Sequence, residues 1–153
     1  MDDFLNFILF RNFRAKRLMK KWLRSMESEA AEESLEILLK LMSLMFLINF
    51  RNFRRNIEGF NGRYLFKSRD NSITVSAVFE NNRMTVSERL IDNPDITVDF
   101  RNGKALLNFI LSPKPDILGS MLRQDVAPHG NFNYLYKFAY MAKRLQLMAA
   151  GSV

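Results

Sequence analysis

The chain contains one histidine, His129, and no cysteine. Those two counts remove thiolate nucleophiles, disulfides and cysteine metal sites. They also leave a His-rich metal site or a histidine-assisted nucleophile without its parts. His129 lies in Asp125-Val126-Ala127-Pro128-His129-Gly130 and reads as a strand-surface or turn residue rather than a base. Asp92, Asp95 and Asp99 could form a carboxylate cluster. Asp95 opens a strand, however, and Asp99 falls on that strand's polar face, so turn chemistry and solvation account for them. No Gly-rich phosphate loop and no metal-ligand spacing occurs. The expectation is a protein that is not an enzyme and needs no cofactor, and the remaining chemistry is that of binding.

Binding chemistry is concentrated at the start of the chain. Net charge is +7, and Arg11, Arg14, Lys16, Arg17, Lys20, Lys21 and Arg24 face only Asp2 and Asp3, so +5 of it falls in one short segment. A local basic excess fits an anionic surface. Residues 2 to 24 read as a helix. Phe4, Leu5, Phe7, Ile8, Leu18, Met19, Trp22 and Leu23 share one arc, and Arg14, Lys16, Arg17, Lys20, Lys21 and Arg24 share the other. This is a basic amphipathic helix.

The string Phe-Arg-Asn-Phe-Arg occurs at 10–14 and again at 50–54. In the first copy Phe10 and Phe13 project among Arg14, Arg17, Lys20 and Lys21, a mixture suited to a phospholipid headgroup layer. In the second copy Phe50 and Phe53 continue the apolar face of Leu39, Met42 and Phe46, while Arg51 and Arg54 join a solvated polar stripe. The flanks differ, so the string is not a duplicated module. Nucleic acid is a rival partner for the basic arc, but no RNA-binding or helix-turn-helix pattern accompanies it.

Serving these residues is an α+β arrangement. A second helix is expected over 29–57, with only Glu36, Lys40, Ser43, Arg51 and Arg54 polar along it. Its most apolar part, 35–50, contains Glu36 and Lys40 and falls short of the roughly 20 apolar residues of a spanning helix. No secretory signal is apparent. After residue 58 the period changes to two. Strands are expected over 63–69, 73–79, from 84, and over 96–100, with Asn81-Asn82 as a two-residue turn, and together they read as a meander with one apolar face. Helices at 104–111 and 115–123, an extended piece at 125–131, a helix at 132–147 and a frayed tail at 149–153 complete the chain. Pro128 cannot donate to a ladder, so its strand should lie at an edge or bend. The expected architecture is a largely antiparallel five-stranded sheet covered on one face by helices, after two N-terminal helices.

The order of Asn61-Gly62-Arg63-Tyr64-Leu65, the meander, Asn93-Pro94-Asp95-Ile96-Thr97-Val98-Asp99-Phe100, Pro115-Asp116-Ile117-Leu118 and Gly130-Asn131 before a closing helix resembles the sterol carrier protein type-2 family. The resemblance covers roughly 58–148 and leaves 1–57 as a helical extension, as in stand-alone bacterial members, some of which assist ubiquinone biosynthesis. It implies a hydrophobic tunnel for a fatty acid, acyl-CoA, phospholipid, sterol or isoprenoid quinone. The lining residues it implies are Phe79, Val86, Phe100, Leu106, Phe109, Ile110, Leu118, Met121, Leu122, Leu135, Phe138, Met141 and Leu145. The same residues would also serve as an ordinary core.

The expected function is passive binding and transfer or presentation of an apolar lipid. The protein would be cytoplasmic, with its basic helix docked on the anionic inner face of a membrane, and would serve an enzyme partner. The alternative is a scaffold or homodimer that covers the apolar face of 35–50 with another protein.

Overall fold

The computed structural model describes residues 17, 18, 20–22, 24, 25, 30–48, 50–111 and 117–149, and describes residues 50–52, 110, 111, 146, 148 and 149 by their backbone alone. Phe10, Phe13 and Arg14 lie outside the described residues, as does the 149–153 tail beyond Ala149. At 17–25 every described residue is helical. Leu18 and Trp22 turn inward, while Arg17, Lys20, Lys21 and Arg24 are exposed. The Trp22 ring joins the core, although its Nε1 finds no hydrogen-bond partner. Ser25 Oγ donates to Trp22 O at 2.7 Å and accepts from Ser34 Oγ at 2.9 Å, which ties this stretch to the next helix.

Helix α1, Ala31–Ile48, opens with Glu32 and Glu33 in its first turn, where the helix dipole favours acids. It does not run to 57 as the sequence predicts. A 3-10 helix, Phe50–Ile57, follows it instead. The physical reason lies in Arg54. Its Nε donates to Phe46 O at 2.9 Å and its Nη2 to Leu47 O at 2.7 Å, satisfying carbonyls that the end of α1 leaves open. Arg54 is therefore a cap rather than part of a solvated stripe. The ring of Phe53 folds back on Phe46, with centroids 4.7 Å apart.

The strands are β1 (Gly62–Ser68), β2 (Thr74–Glu80), β3 (Arg83–Ser87), β4 (Ile96–Phe100) and β5 (Val126–Gly130). Their order is β3-β2-β1-β4-β5. The expected sheet of five largely antiparallel strands is present, and β5 with Pro128 is an edge strand. Asn81 and Asn82 both take positive φ, 51° and 58°, as a tight hairpin turn requires. One expectation fails. β4 does not continue the meander beside β3 but pairs parallel with β1, with Tyr64 opposite Ile96 and Phe66 opposite Val98. Link 88–95 must therefore cross β2 and β1. The Arg63 side chain, on the face opposite Tyr64, donates from Nε to Asp92 O at 3.1 Å, so the link runs over the outer face. Leu65 is buried on that face.

Helices α2 (Gly103–Leu111), α3 (Ile117–Leu122) and α4 (Phe132–Ala149) complete the fold. Asn102 and Asn131 cap α2 and α4, accepting from Ala105 N and Asn133 N, both at 3.0 Å. The inner face of the sheet carries Tyr64, Phe66, Val75, Ala77, Phe79, Met84, Ile96, Val98 and Phe100, all buried. α1 lies against β3 and β2, and α4 against β4 and β5. Nearly the whole apolar face of α1 is buried inside this chain, from Leu35 to Phe46. From 35 to 46 the surface that the scaffold alternative required is thus covered within this chain, while Leu47 is exposed.

Gly130 joins β5 to α4 at φ 125°, and a Cβ there would press on the carbonyl oxygen of Asp95, which accepts from Asn131 N at 3.1 Å. Gly130→Ala is expected to lower unfolding free energy by about 1–3 kcal/mol. Denaturant titration followed by circular dichroism measures this, and an unchanged midpoint would contradict the geometry.

Candidate functional site

The residues proposed from sequence to line a tunnel fall into three groups. Phe79, Phe100, Leu106, Phe109, Leu135, Phe138, Met141 and Leu145 are buried in one cluster between the sheet and the helices. Val86 and Met121 are half-buried against it. Leu118 and Leu122 point outward instead, 65% and 77% exposed. They are one turn apart on the six-residue α3, whose inward residues are Ile117 and Ser120. The side chain of Ile110 lies outside the described residues.

Aromatic rings dominate the interior. Tyr64 is edge-on to Phe79 at 5.4 Å and to Tyr134 at 5.9 Å, while Phe66 meets Phe138 at 4.9 Å. Such contacts add about 0.5–1.5 kcal/mol each beyond burial. The Tyr64 hydroxyl donates to Tyr134 O at 2.7 Å. Burial, then the neighbouring Tyr134 and Asp95, push its pKa far above the usual phenol value. Tyr64 therefore remains a neutral donor that pins α4 to β1.

An opening appears where α1 meets β3. A groove of about 360 Å³ is lined by Ser43, Phe46, Leu47, Arg54, Asn81, Asn82, Arg83 and Met84. A second hollow of about 250 Å³, lined by Lys40, Ser43, Leu44, Leu47 and Val86, shares Ser43 and Leu47 with it. Ser43 Oγ donates to Met84 O at 2.9 Å and fixes the seam. Two groove residues, Phe46 and Met84, belong to the buried cluster. The floor of the groove thus meets the buried cluster, and Arg54 and Arg83 are among its lining residues. Of the lining residues that the resemblance implies, only Val86 borders either hollow. The groove escaped notice because its seam joins positions 41 residues apart.

The remaining sequence candidates are not gathered into a site. His129 is exposed on β5 opposite Thr97. Asp95 uses Oδ2 to accept from Arg63 N at 2.8 Å, and Asp92 offers its carbonyl to the Arg63 side chain. Asp99 was expected to be solvated, but its Oδ1 is buried without a hydrogen-bond partner, in register with Lys67. Arg17, Lys20 and Lys21 are exposed before α1.

No family model matches the sequence, and no curated protein matches it. Solved structures do. A stereoselective inverting sec-alkylsulfatase from Pseudomonas sp. matches at TM-score 0.54 and 17% identity, over 69% of this chain and 16% of that enzyme. This chain therefore spans less than a fifth of the sulfatase. A structure described as a UbiJ-SCP2 ubiquinone synthesis protein matches at TM-score 0.53 and 14% identity, over 71% of this chain and 94% of that one. The likeness is one of fold, and the fold is that of a sterol carrier protein type-2 domain.

A carboxylate pair stands beside the second hollow. Glu36 pairs with Lys40. Burial pushes Glu36 up, but hydrogen bonds from Glu88 and Lys40 and the Lys40 charge outweigh it, and its pKa lies below the usual value. Glu88 is raised, first by its hydrogen bond to Glu36 and then by the Glu36 charge. Glu88 holds its proton more tightly when folded, so its contribution is present at acid pH and lost as pH rises through its raised pKa. Glu36 contributes in the opposite sense. Glu88→Gln is expected to raise the melting temperature at neutral pH, with the gain shrinking as pH falls toward about 4. A gain that grew on acidification would contradict this pairing.

Proposed function

We propose that this protein binds an apolar lipid and transfers or presents it without catalysis. Residues 58–148 would form the lipid-binding domain, and 1–57 the extension that covers it and meets the membrane. The observation that carries this reading is the groove between α1 and β3, lined in part by buried Phe46 and Met84, in a fold shared with a UbiJ-SCP2 protein. An acyl or isoprenoid chain would enter along Leu47 and Met84 and lie among Phe79, Phe138, Met141 and Leu145. Nine methionines favour such repacking, because an unbranched thioether adapts to irregular partners. Each buried methylene would contribute about 0.8 kcal/mol.

An acidic end group on the lipid would be met by Arg83 and Arg54 at the rim. The description of the UbiJ-SCP2 structure as a ubiquinone synthesis protein makes an isoprenoid quinone or its precursor the first ligand to offer. An enzyme acting on that lipid is the partner this reading implies. The membrane half rests on exposed Arg17, Lys20, Lys21 and Arg24, which stand on the face opposite Leu18 and Trp22. Each cation near an anionic leaflet contributes roughly 1 kcal/mol.

The test is native mass spectrometry of protein purified without detergent, followed by addition of fatty acid or quinone. One lipid per chain is the expected result. Val86→Trp, which fills the second hollow, should weaken uptake by about tenfold with the fold intact by circular dichroism. Protein that carries no lipid and takes up neither probe would overturn the reading. Lys20→Glu with Lys21→Glu should lower binding to anionic vesicles while leaving uptake in solution unchanged.

A further inference from the structure

The outward face of α4 has an unusual composition for a helix facing water. Phe132, Tyr136, Tyr140, Lys143 and Leu147 follow one another at helical spacing along its length. Phe132 is 40% exposed, Tyr136 56% and Tyr140 55%, and Leu147 is exposed as well. A solvated helix face ordinarily mixes acids with bases. This helix has none of the former: Phe132–Ala149 contains Lys137, Lys143 and Arg144 and no Asp or Glu.

The cations have a definite placement. Lys137 Nζ sits 4.0 Å from the Phe60 ring centroid, and the Arg144 guanidinium 5.7 Å from that of Phe53. Those rings hold them along one flank of the stripe, on the side of the 3-10 helix, where Arg55 is exposed. The surface is therefore an aromatic ridge bordered by positive charge.

We propose that this face of α4 is a second membrane-contact surface that lies flat in the headgroup layer of an anionic bilayer. It extends the membrane part of the lipid-carrier reading and rests on it. Charge decides the occupant, since a helix with three cations and no acid complements a sheet of phosphates. The tyrosines suit the same depth, because each ring is apolar and each hydroxyl still reaches water. The ridge is shallow, so it would bind reversibly. Contacts at both the basic stretch before α1 and α4 would fix the protein's orientation on the leaflet, which one contact cannot do.

The experiment is vesicle flotation of the full chain with phosphatidylcholine, with and without phosphatidylglycerol. Tyr136→Ser with Tyr140→Ser should lower the affinity for anionic vesicles by roughly tenfold. Tyr136→Phe with Tyr140→Phe should retain it, which separates a membrane role from lost folding. Equal binding by the wild type and the serine pair overturns the proposal. So does a wild-type dimer that the serine pair converts to monomer in gel filtration, because a second copy would then occupy the ridge. Uptake of quinone or fatty acid in solution is measured alongside. If uptake fails in every variant while vesicle binding still falls with the serine pair, the lipid-cargo reading is lost and the contact surface stands.

Discussion

The constraint on which the structure depends is that the inner face of the sheet is too apolar and too aromatic to meet water. Tyr64, Phe66, Phe79 and Phe100 project from adjacent strands and demand a cover. At roughly 25 cal/mol per Å² of apolar area removed from water, burying such rings is the largest favourable term available to a chain of this size. Two helices provide most of the cover from opposite ends of the sequence. α4 is fixed by the Tyr64 hydroxyl at Tyr134 O, and α1 by Ser43 at Met84 O. Each tie is a single hydrogen bond at an edge of a large apolar contact. They set position, and burial supplies the stability.

The same arrangement leaves a groove at the seam of α1 and β3. α1 ends where Arg54 caps it, and in the 3-10 helix that follows Arg54 also lines the groove. The space left beside β3 is the groove. Groove and capping arginine are therefore linked, and a lipid entering here would pass between a positively charged rim and the aromatic interior.

Parts of this fold were legible from sequence. Period-two alternation placed β1 to β4, because one buried face leaves its mark on every second residue. Asn81-Asn82 identified the hairpin turn, because asparagine tolerates positive φ. Pro128 marked β5 as an edge strand, since it lacks the ladder donor. Other parts were not legible. The break after α1 was hidden because Phe50 and Phe53 continue the apolar spacing, and the capping role of Arg54 depends on carbonyl geometry. The parallel pairing of β4 with β1 was hidden because a strand's sequence shows its buried face and not its neighbour. Leu118 and Leu122 were placed inward by the family resemblance, whereas the short α3 turns Ile117 and Ser120 inward. The groove belongs to two segments distant in sequence, so neither shows it alone.

The central claim is that lipid occupies the interior reached through the α1–β3 seam. The most direct measurement is photocrosslinking with a fatty acid that carries a diazirine at its methyl end, with the labelled residues mapped by mass spectrometry. The expected result is label on inward residues such as Met84, Phe138 and Met141, competed away by unlabelled fatty acid. Label confined to exposed residues such as Leu118, Leu122 and Tyr136, unaffected by competitor, would mean that the interior is a filled core, and the claim would be wrong.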